Sequence, residues 1–323
     1  MSSTKEIQRR IKSIKSTQKI TRAMEMVAAT KMRRAEEAVL KTRTYSNLSW
    51  TTVLNLAQAV NCGKFQHPLF SQRKRVKKVA IILFTSNRGL CGNFNNAIIN
   101  KAHDSILKHR YNEHKEEVEH EFILVGKKGY SVYSRYGHPI AAEFSKSDIC
   151  YSSTEVRSLA RMVKDDFIAR KYDKIMVAFT DYINAINQVP RVKQLLPLDT
   201  GAQSDHLGIT GEDTRVGLDK DYVEQKEKKY LREGKDVYTF TFEPSAPRVL
   251  EEMVPRLLEV QLFQALLESN AAEQAARMTA MQKANESAGD LVDDLTLYYN
   301  KVRQAAITSE ISEISAGANA LSD

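Results

Sequence analysis

Between Thr4 and about Val60 the chain contains neither glycine nor proline, and most of its residues there are good helix formers. Small or apolar side chains recur at alternating steps of three and four: Ile7, Ile11, Ile14, Gln18, Thr21, Met24, Ala28, Met32, Ala35 and Val39, with Val53, Leu56 and Val60 farther on. A stripe of this period, sustained over so many turns, predicts a coiled-coil helix rather than the surface helix of a globular domain. At 1.5 Å per residue, about 55 residues span roughly 80 Å, several times the ordinary helix length. Such an element has to protrude from its domain and find a partner of comparable length.

The partner is at the other end. After Pro244 and Pro247, residues from about Arg248 to Ala316 read as helix, touched only by Pro255 and Gly289. The predicted seam runs through Leu258, Leu262, Ala265, Ser269, Ala272, Ala276, Ala280, Ala284, Leu291, Leu295, Tyr298, Val302 and Ala305. Seventy residues extend roughly 100 Å, and a proline as early as Pro255 costs a kink at most. The alanine and serine in the middle of the seam let two helices approach closely, leaving little room for a cofactor. Charge argues for the same pairing. Residues 1–45 hold twelve basic and four acidic side chains, whereas residues 246–323 hold six basic and twelve acidic. The ends are electrically complementary and are predicted to lie side by side.

Between them the pattern changes. The basic run Arg73–Lys78 leads into VAIILFTS (79–86), a continuous apolar strand of the buried, parallel-sheet kind. The turn NRGLCGN (87–93) and a helix over 94–109 follow. FILVG (122–126), 139–144, 173–182, 189–198 and 236–244 read as further strands, and 154–171 as a helix capped by Thr154. Strands alternating with helices predict an α/β domain with a mainly parallel sheet. Residues 199–236 are polar, glycine-containing and densely charged, and read as an exposed insertion.

Composition narrows the classes. No run of eighteen apolar residues occurs, so no helical membrane span is expected, and MSSTKEIQRR reads as helix rather than as a secretory or transit leader. Cys62, Cys91 and Cys150 are scattered and form no C-x-x-C pair, which predicts free thiols and no zinc site. His103, His109, His114 and His120 have no ligand spacing. Ser86–Asn93 is a glycine turn ahead of a helix, where α/β folds hold phosphates, but it has only Gly89 and Gly92 and lacks the Gly-Lys-Ser/Thr ending. A ligand-free tight turn is the expectation. No orienting group is evident for a Cys91–His nucleophile. The neighbours in Asp165-Asp166 and in Asp293-Asp294 point about 100° apart on a helix and cannot converge on one substrate. The basic N-terminal helix keeps three readings: complement to the acidic helix, contact with an acidic protein, or contact with nucleic-acid phosphates.

Three stretches resemble one family. QKITRAMEMVAATKMRRAE (18–36), TSNRGLCGNFN (85–95) and ARMTAMQKANESAGDLVDDLTLYYNKVRQAAITSEISEISAGANAL (276–321) are similar, in register, to signatures of the gamma subunit of F-type ATP synthases. The resemblance implies an α/β plus long α fold: an antiparallel coiled coil of the N- and C-terminal helices (1–60 and 246–323) with a central Rossmann-like parallel-sheet domain (61–245, including the insertion 199–236). It implies the rotating central stalk of the synthase, with no catalytic site, cofactor or metal of its own. The implied partners are alpha and beta subunits of a catalytic hexamer, an epsilon subunit and a membrane ring of c subunits driven by proton or sodium flow. Nucleic acid is not among them, and the membrane is reached only through the complex, on the cytoplasmic face of a bacterial inner membrane.

Matching positions imply that Lys19, Arg22, Met24, Lys31 and Arg33 face acidic loops of beta subunits. Arg277, Arg303, Gln304 and Thr308 would engage catch loops of the hexamer, and the tail through Ile311, Ile314 and Leu321 would turn as a bearing in its sleeve. Photosynthetic relatives of plant type carry a regulatory cysteine pair in an insertion. Residues 199–236 contain no cysteine, so thiol control is not expected.

Overall fold

A computed structural model describes residues 4–61, 68–71, 73, 75–108, 117–147, 152–198, 243 and 245–322. The expected strand 236–244 (but for residue 243), the insertion 199–236, Cys62, Cys150, His109 and His114 lie outside the described residues, as do the side chains of Val53, Leu56, Val60 and Leu321. The chain divides into two compact units, one of Met1–Ala29 with Arg277–Asp323 and one of Thr30–Ala276. Two helices run through both: α1, Thr4–Asn61, and α5, Ala246–Ser322, the latter uninterrupted at Pro255.

The unit of Thr30–Ala276 holds a five-stranded sheet. Its elements in chain order are β1 (Lys78–Phe84), α2 (Phe94–Lys108), β2 (Glu119–Val125), α3 (Lys127–Tyr133), β3 (Ile140–Phe144), α4 (Thr154–Ile168), β4 (Lys174–Tyr182) and β5 (Gln188–Leu196). The strand order is β3-β2-β1-β4-β5. The first four strands are parallel, and β5 returns antiparallel from β4. Crossovers walk outward from β1 to β3, then α4 carries the chain back to the other side of β1. The order therefore reverses between β1 and β4, as in doubly wound sheets.

Central β1 is buried from Val79 onward, which accounts for its unbroken apolar run. Val79, Ile81 and Leu83 join Ile98 and Ala102 of α2, Phe122 and Leu124 of β2, and Tyr133 of α3 in one core. The expected helix over 154–171 ends earlier, at Ile168, where Arg170 turns left-handed with φ 61°. Thr154 is already helical and is not the cap. The preceding Ser153 makes no side-chain cap bond, and Ser152 Oγ instead accepts from Thr154 N at 3.3 Å and from Thr154 Oγ1 at 3.0 Å. The short α3 was not foreseen, because a seven-residue helix carries too few turns for a period to show.

In the unit of Met1–Ala29 with Arg277–Asp323, the stripe read from sequence is the packing face. Between Lys5 and Met24, Ile7, Ile11, Ile14, Gln18, Thr21 and Met24 are buried or half-buried and every other residue is exposed. Gln18 lies against α5: its Nε2 donates to Asn285 O at 3.4 Å, and a Cβ on Gly289 would stand 3.3 Å from the same nitrogen. In the other unit Arg43 of α1 meets Glu268 of α5. Each unit thus holds its own contact between α1 and α5.

The α5 seam differs from the expectation at three positions. Leu291, Tyr298 and Ala305 are exposed. The seam instead passes through Met281, Ala284, Ala288, Val292, Leu295, Tyr299 and Val302. A second four-residue step in succession (Ala284, Ala288, Val292) moves the seam from Leu291 to Val292 and from Tyr298 to Tyr299. A second difference concerns Gln261–Ala275, where every residue except Phe263 is buried. A helix in a two-stranded seam is buried on one side only. Here sheet-end residues cover it as well.

Candidate functional site

The carboxyl ends of β1, β2 and β3 are where an open α/β sheet would place a ligand. In this chain the turn after β1 is stitched by its own side chains. Asn95, in the first turn of α2, accepts from Ser86 N at 3.0 Å and donates through Nδ2 to Ser86 Oγ at 2.8 Å. Ser86 Oγ donates to Arg88 O at 2.7 Å. Cys91 is buried, accepting from Asn95 Nδ2 at 3.2 Å. Its polar neighbours here are Asn95, Ser86 and Arg88 O, so the thiol sits as a packed element of the turn. Gly126, with φ 101°, closes the edge: a Cβ there would collide with Thr85 O. The Ser86–Asn93 turn is thus tight and filled from within.

Buried charge gathers where α1 and α5 cross this unit. Arg43 donates to Glu268 at 2.8 Å and stands 3.7 Å from Asp181, which accepts from Arg191 Nε at 2.8 Å. Burial pushes the Glu268 carboxyl up to about 7, Arg43 opposing this and the nearby Asp181 reinforcing it. Lys146 and Glu273 form a second pair at 2.7 Å, with side chains 1% and 4% exposed. None of these residues stood out in the sequence. An isolated acid inside an alanine-rich helix has no periodic signature, and Lys146 follows β3 in an ordinary polar loop.

The expected partner-binding residues are distributed over both units. In that of Met1–Ala29 with Arg277–Asp323, Lys19, Arg22, Arg303, Gln304 and Thr308 are exposed, Met24 and Arg277 half-buried. Arg303 lies over the Tyr299 ring at 5.9 Å, and Thr308 Oγ1 donates to Gln304 O at 2.9 Å. Gln304 also borders a shallow groove along α5 with Asp293, Thr296, Leu297, Asn300 and Lys301. All six belong to one helix, so the groove is an open stretch of helix surface rather than an enclosed cavity. Ile311 and Ile314 are 61% and 66% exposed. In the unit of Thr30–Ala276, Lys31 is half-buried and Arg33 exposed.

The sequence reading missed a set of exposed apolar side chains: Ile20, Met26 and Val27 on α1, and Leu297 and Ile307 on α5. Their signal was present, since these large aliphatic residues fall off the three–four stripe of the seam. From Arg303 to Ala316 every residue of α5 is exposed. Among the described residues no helix is long and apolar enough to cross a membrane, and no three His, Cys, Asp or Glu side chains gather as metal ligands.

Comparison with known proteins gives one consistent answer. The profile of a family described as ATP synthase matches residues 3–321. A protein of Desulforamulus reducens named ATP synthase gamma chain is 37% identical over 99% of this chain and 100% of its own length. The ATP synthase gamma chain of Roseiflexus castenholzii is likewise 37% identical, over the full length of both. Among solved structures, a chain of the Euglena gracilis mitochondrial ATP synthase aligns with a TM-score of 0.60 at 16% identity, over 98% of this chain and 94% of that one. At that identity the likeness speaks for the fold alone.

Proposed function

We propose, from the premise that this chain belongs to the ATP synthase gamma-chain family, that it is the rotating central stalk of a rotary ATP synthase and has no catalytic site of its own. The observation that carries this is the full-length match to gamma chains, which spans both terminal helices and the sheet between them. The fold supports it, because an antiparallel helix pair with charged and apolar side chains on its outer surface is suited to contact and not to chemistry.

Ion flow through a ring of c subunits turns the stalk, and the stalk biases each beta subunit toward a different conformation according to the face it presents. Alpha and beta subunits form the hexamer around the helices, and an epsilon subunit and the c-ring meet the α/β unit. Lys19 and Arg22, exposed and cationic, and Lys31 and Arg33 in the other unit, serve as contacts for acidic loops of beta subunits, with Met24 beside them in the seam. Arg277, Arg303, Gln304 and Thr308 engage hexamer loops. Ile311, Ile314 and Leu321 form the bearing, where weakly polar side chains slide without strong ion pairs to break. The complex sits on the cytoplasmic face of a bacterial inner membrane.

The test is reconstitution. The isolated chain is expected to hydrolyse no ATP, to co-purify from membranes with alpha and beta partners, and to restore ion pumping to a complex that lacks it. Turnover by the chain alone, or hexamers that couple fully without it, overturns the proposal.

A further inference from the structure

At the ligand-binding edge of the sheet, the seat is taken by the chain's own helix. Lys146, two residues beyond β3, is 1% exposed at its side chain. Its ammonium donates to Thr85 O, just past β1, at 3.2 Å and to Glu273 Oε2 of α5 at 2.7 Å, and lies 5.9 Å from the Phe94 ring centroid. The Lys146 carbonyl accepts from Asn87 Nδ2 in the turn after β1, so its backbone is held by the same turn. The carboxylate of Glu273 is thus held at the carboxyl end of β1, the edge at which open α/β sheets bind ligands.

Burying such a pair contributes little net stability compared with apolar side chains of the same volume, and its best-attested use is to fix one arrangement among several. The alternatives here are rotations and slips of α5. Around Glu273 the helix carries Ala271, Ala272 and Ala275, all buried. Small side chains present shallow ridges, which resist slipping weakly. A slip by one residue swings Glu273 about 100° around the helix axis, out of reach of Lys146.

We infer that Lys146 and Glu273 are the positioning pair that pins α5 to the α/β unit against twist, so that torque passes between them without slippage. The inference rests on the rotary reading above. Its test uses the whole enzyme carrying this chain in liposomes, with ATP hydrolysis and ions pumped measured on one preparation. Glu273→Gln removes the anion of the pair and Lys146→Met removes its cation. Lys146→Met/Glu273→Met removes both charges of this pair and keeps the volume filled. In all three, hydrolysis per assembled complex is expected to stay within about twofold, while ions pumped per ATP fall by about threefold or more. Lys146→Arg, which keeps the cation, is expected to retain most of the pumping. A purely structural role lowers the yield of complex and leaves pumping per ATP unchanged.

The inference is overturned if the double variant assembles and pumps per ATP like the unaltered enzyme. It is equally overturned if the double variant fails to assemble while Lys146→Arg assembles and pumps normally, since the pair then serves folding alone. If the unaltered complex hydrolyses ATP but pumps nothing, the rotary reading fails and the pin, which rests on it, falls with it.

Discussion

Glu268 is a buried acid in a cluster of charges. It faces Arg43 of α1, Asp181 of β4 with its own partner Arg191 of β5, and Gln264 one turn earlier on α5, whose Nε2 donates to it at 2.7 Å. Burial first, and then Asp181, raise its pKa from 4.5 to about 7. The folded chain therefore binds this proton more tightly than the unfolded one. The associated stability is fully present below pH 4.5 and is lost as pH rises toward 7, with a slope of at most about 1.4 kcal/mol per pH unit. Glu268→Gln, neutral at every pH, is expected to abolish that slope. Unfolding curves of both chains between pH 5 and 8 check it, and parallel pH dependences dismiss the assignment. Met24 raises a different question, because it is half-buried in the helix seam. Met24→Lys can extend its ammonium outward along its stem, so the expected cost to the fold is small, about 1 kcal/mol or less. The cost to coupling is expected to be larger, since a cation is added beside the proposed beta-subunit contact. Equal synthesis and hydrolysis efficiencies after this change contradict that contact.

Among the elements, the terminal helices were the most legible in the sequence. A stripe of period three and four fixes both the helix and its buried face, and α1 follows the expected stripe residue for residue between Ile7 and Val39. The seam of α5 was harder because Leu291 and Tyr298 are each followed by another large residue, Val292 and Tyr299, that fits the count as well, and only the partner helix decides between them. Gly289 shows that decision. A methyl group there meets only the mobile end of Gln18, at 3.3 Å, and replaces the least favourable helix residue but proline. Gly289→Ala is expected to raise stability by up to about 1 kcal/mol, whereas Gly289→Leu needs space that Gln18 occupies and is expected to lower it. Thermal unfolding of the two variants checks the sign. In the sheet, β1 was legible because burial on both faces leaves an unbroken apolar run. The pairs Lys146–Glu273 and Arg43–Glu268 were not, since each joins residues more than a hundred positions apart that no local pattern links.

For the molecule as a whole, the formal charge of +8 conceals two different surfaces. Lys5, Arg9, Arg10, Lys12, Lys15, Lys19 and Arg22 of α1 are all exposed. The exposed stretch of α5 after Val302 instead presents Ile307, Ile311 and Ile314 with few charges. A partner that binds both should feel salt differently at each. Contacts to the cations weaken as ionic strength rises and the Debye length falls from about 10 Å at 0.1 M to about 3 Å at 1 M, whereas apolar burial does not. Lys19→Glu/Arg22→Glu is therefore expected to weaken binding to an alpha–beta hexamer strongly at low salt and little at high salt. A chain ending at Arg303 is expected to lose about tenfold or more at both. That truncation removes side chains that are exposed wherever they are described, so the thermal midpoint of the isolated chain should stay within about 2 °C. Binding measured at two salt concentrations for the three chains decides the matter. If the truncated chain recovers its affinity at high salt, the end of α5 is held by charge, and a sliding apolar bearing is the wrong description of it.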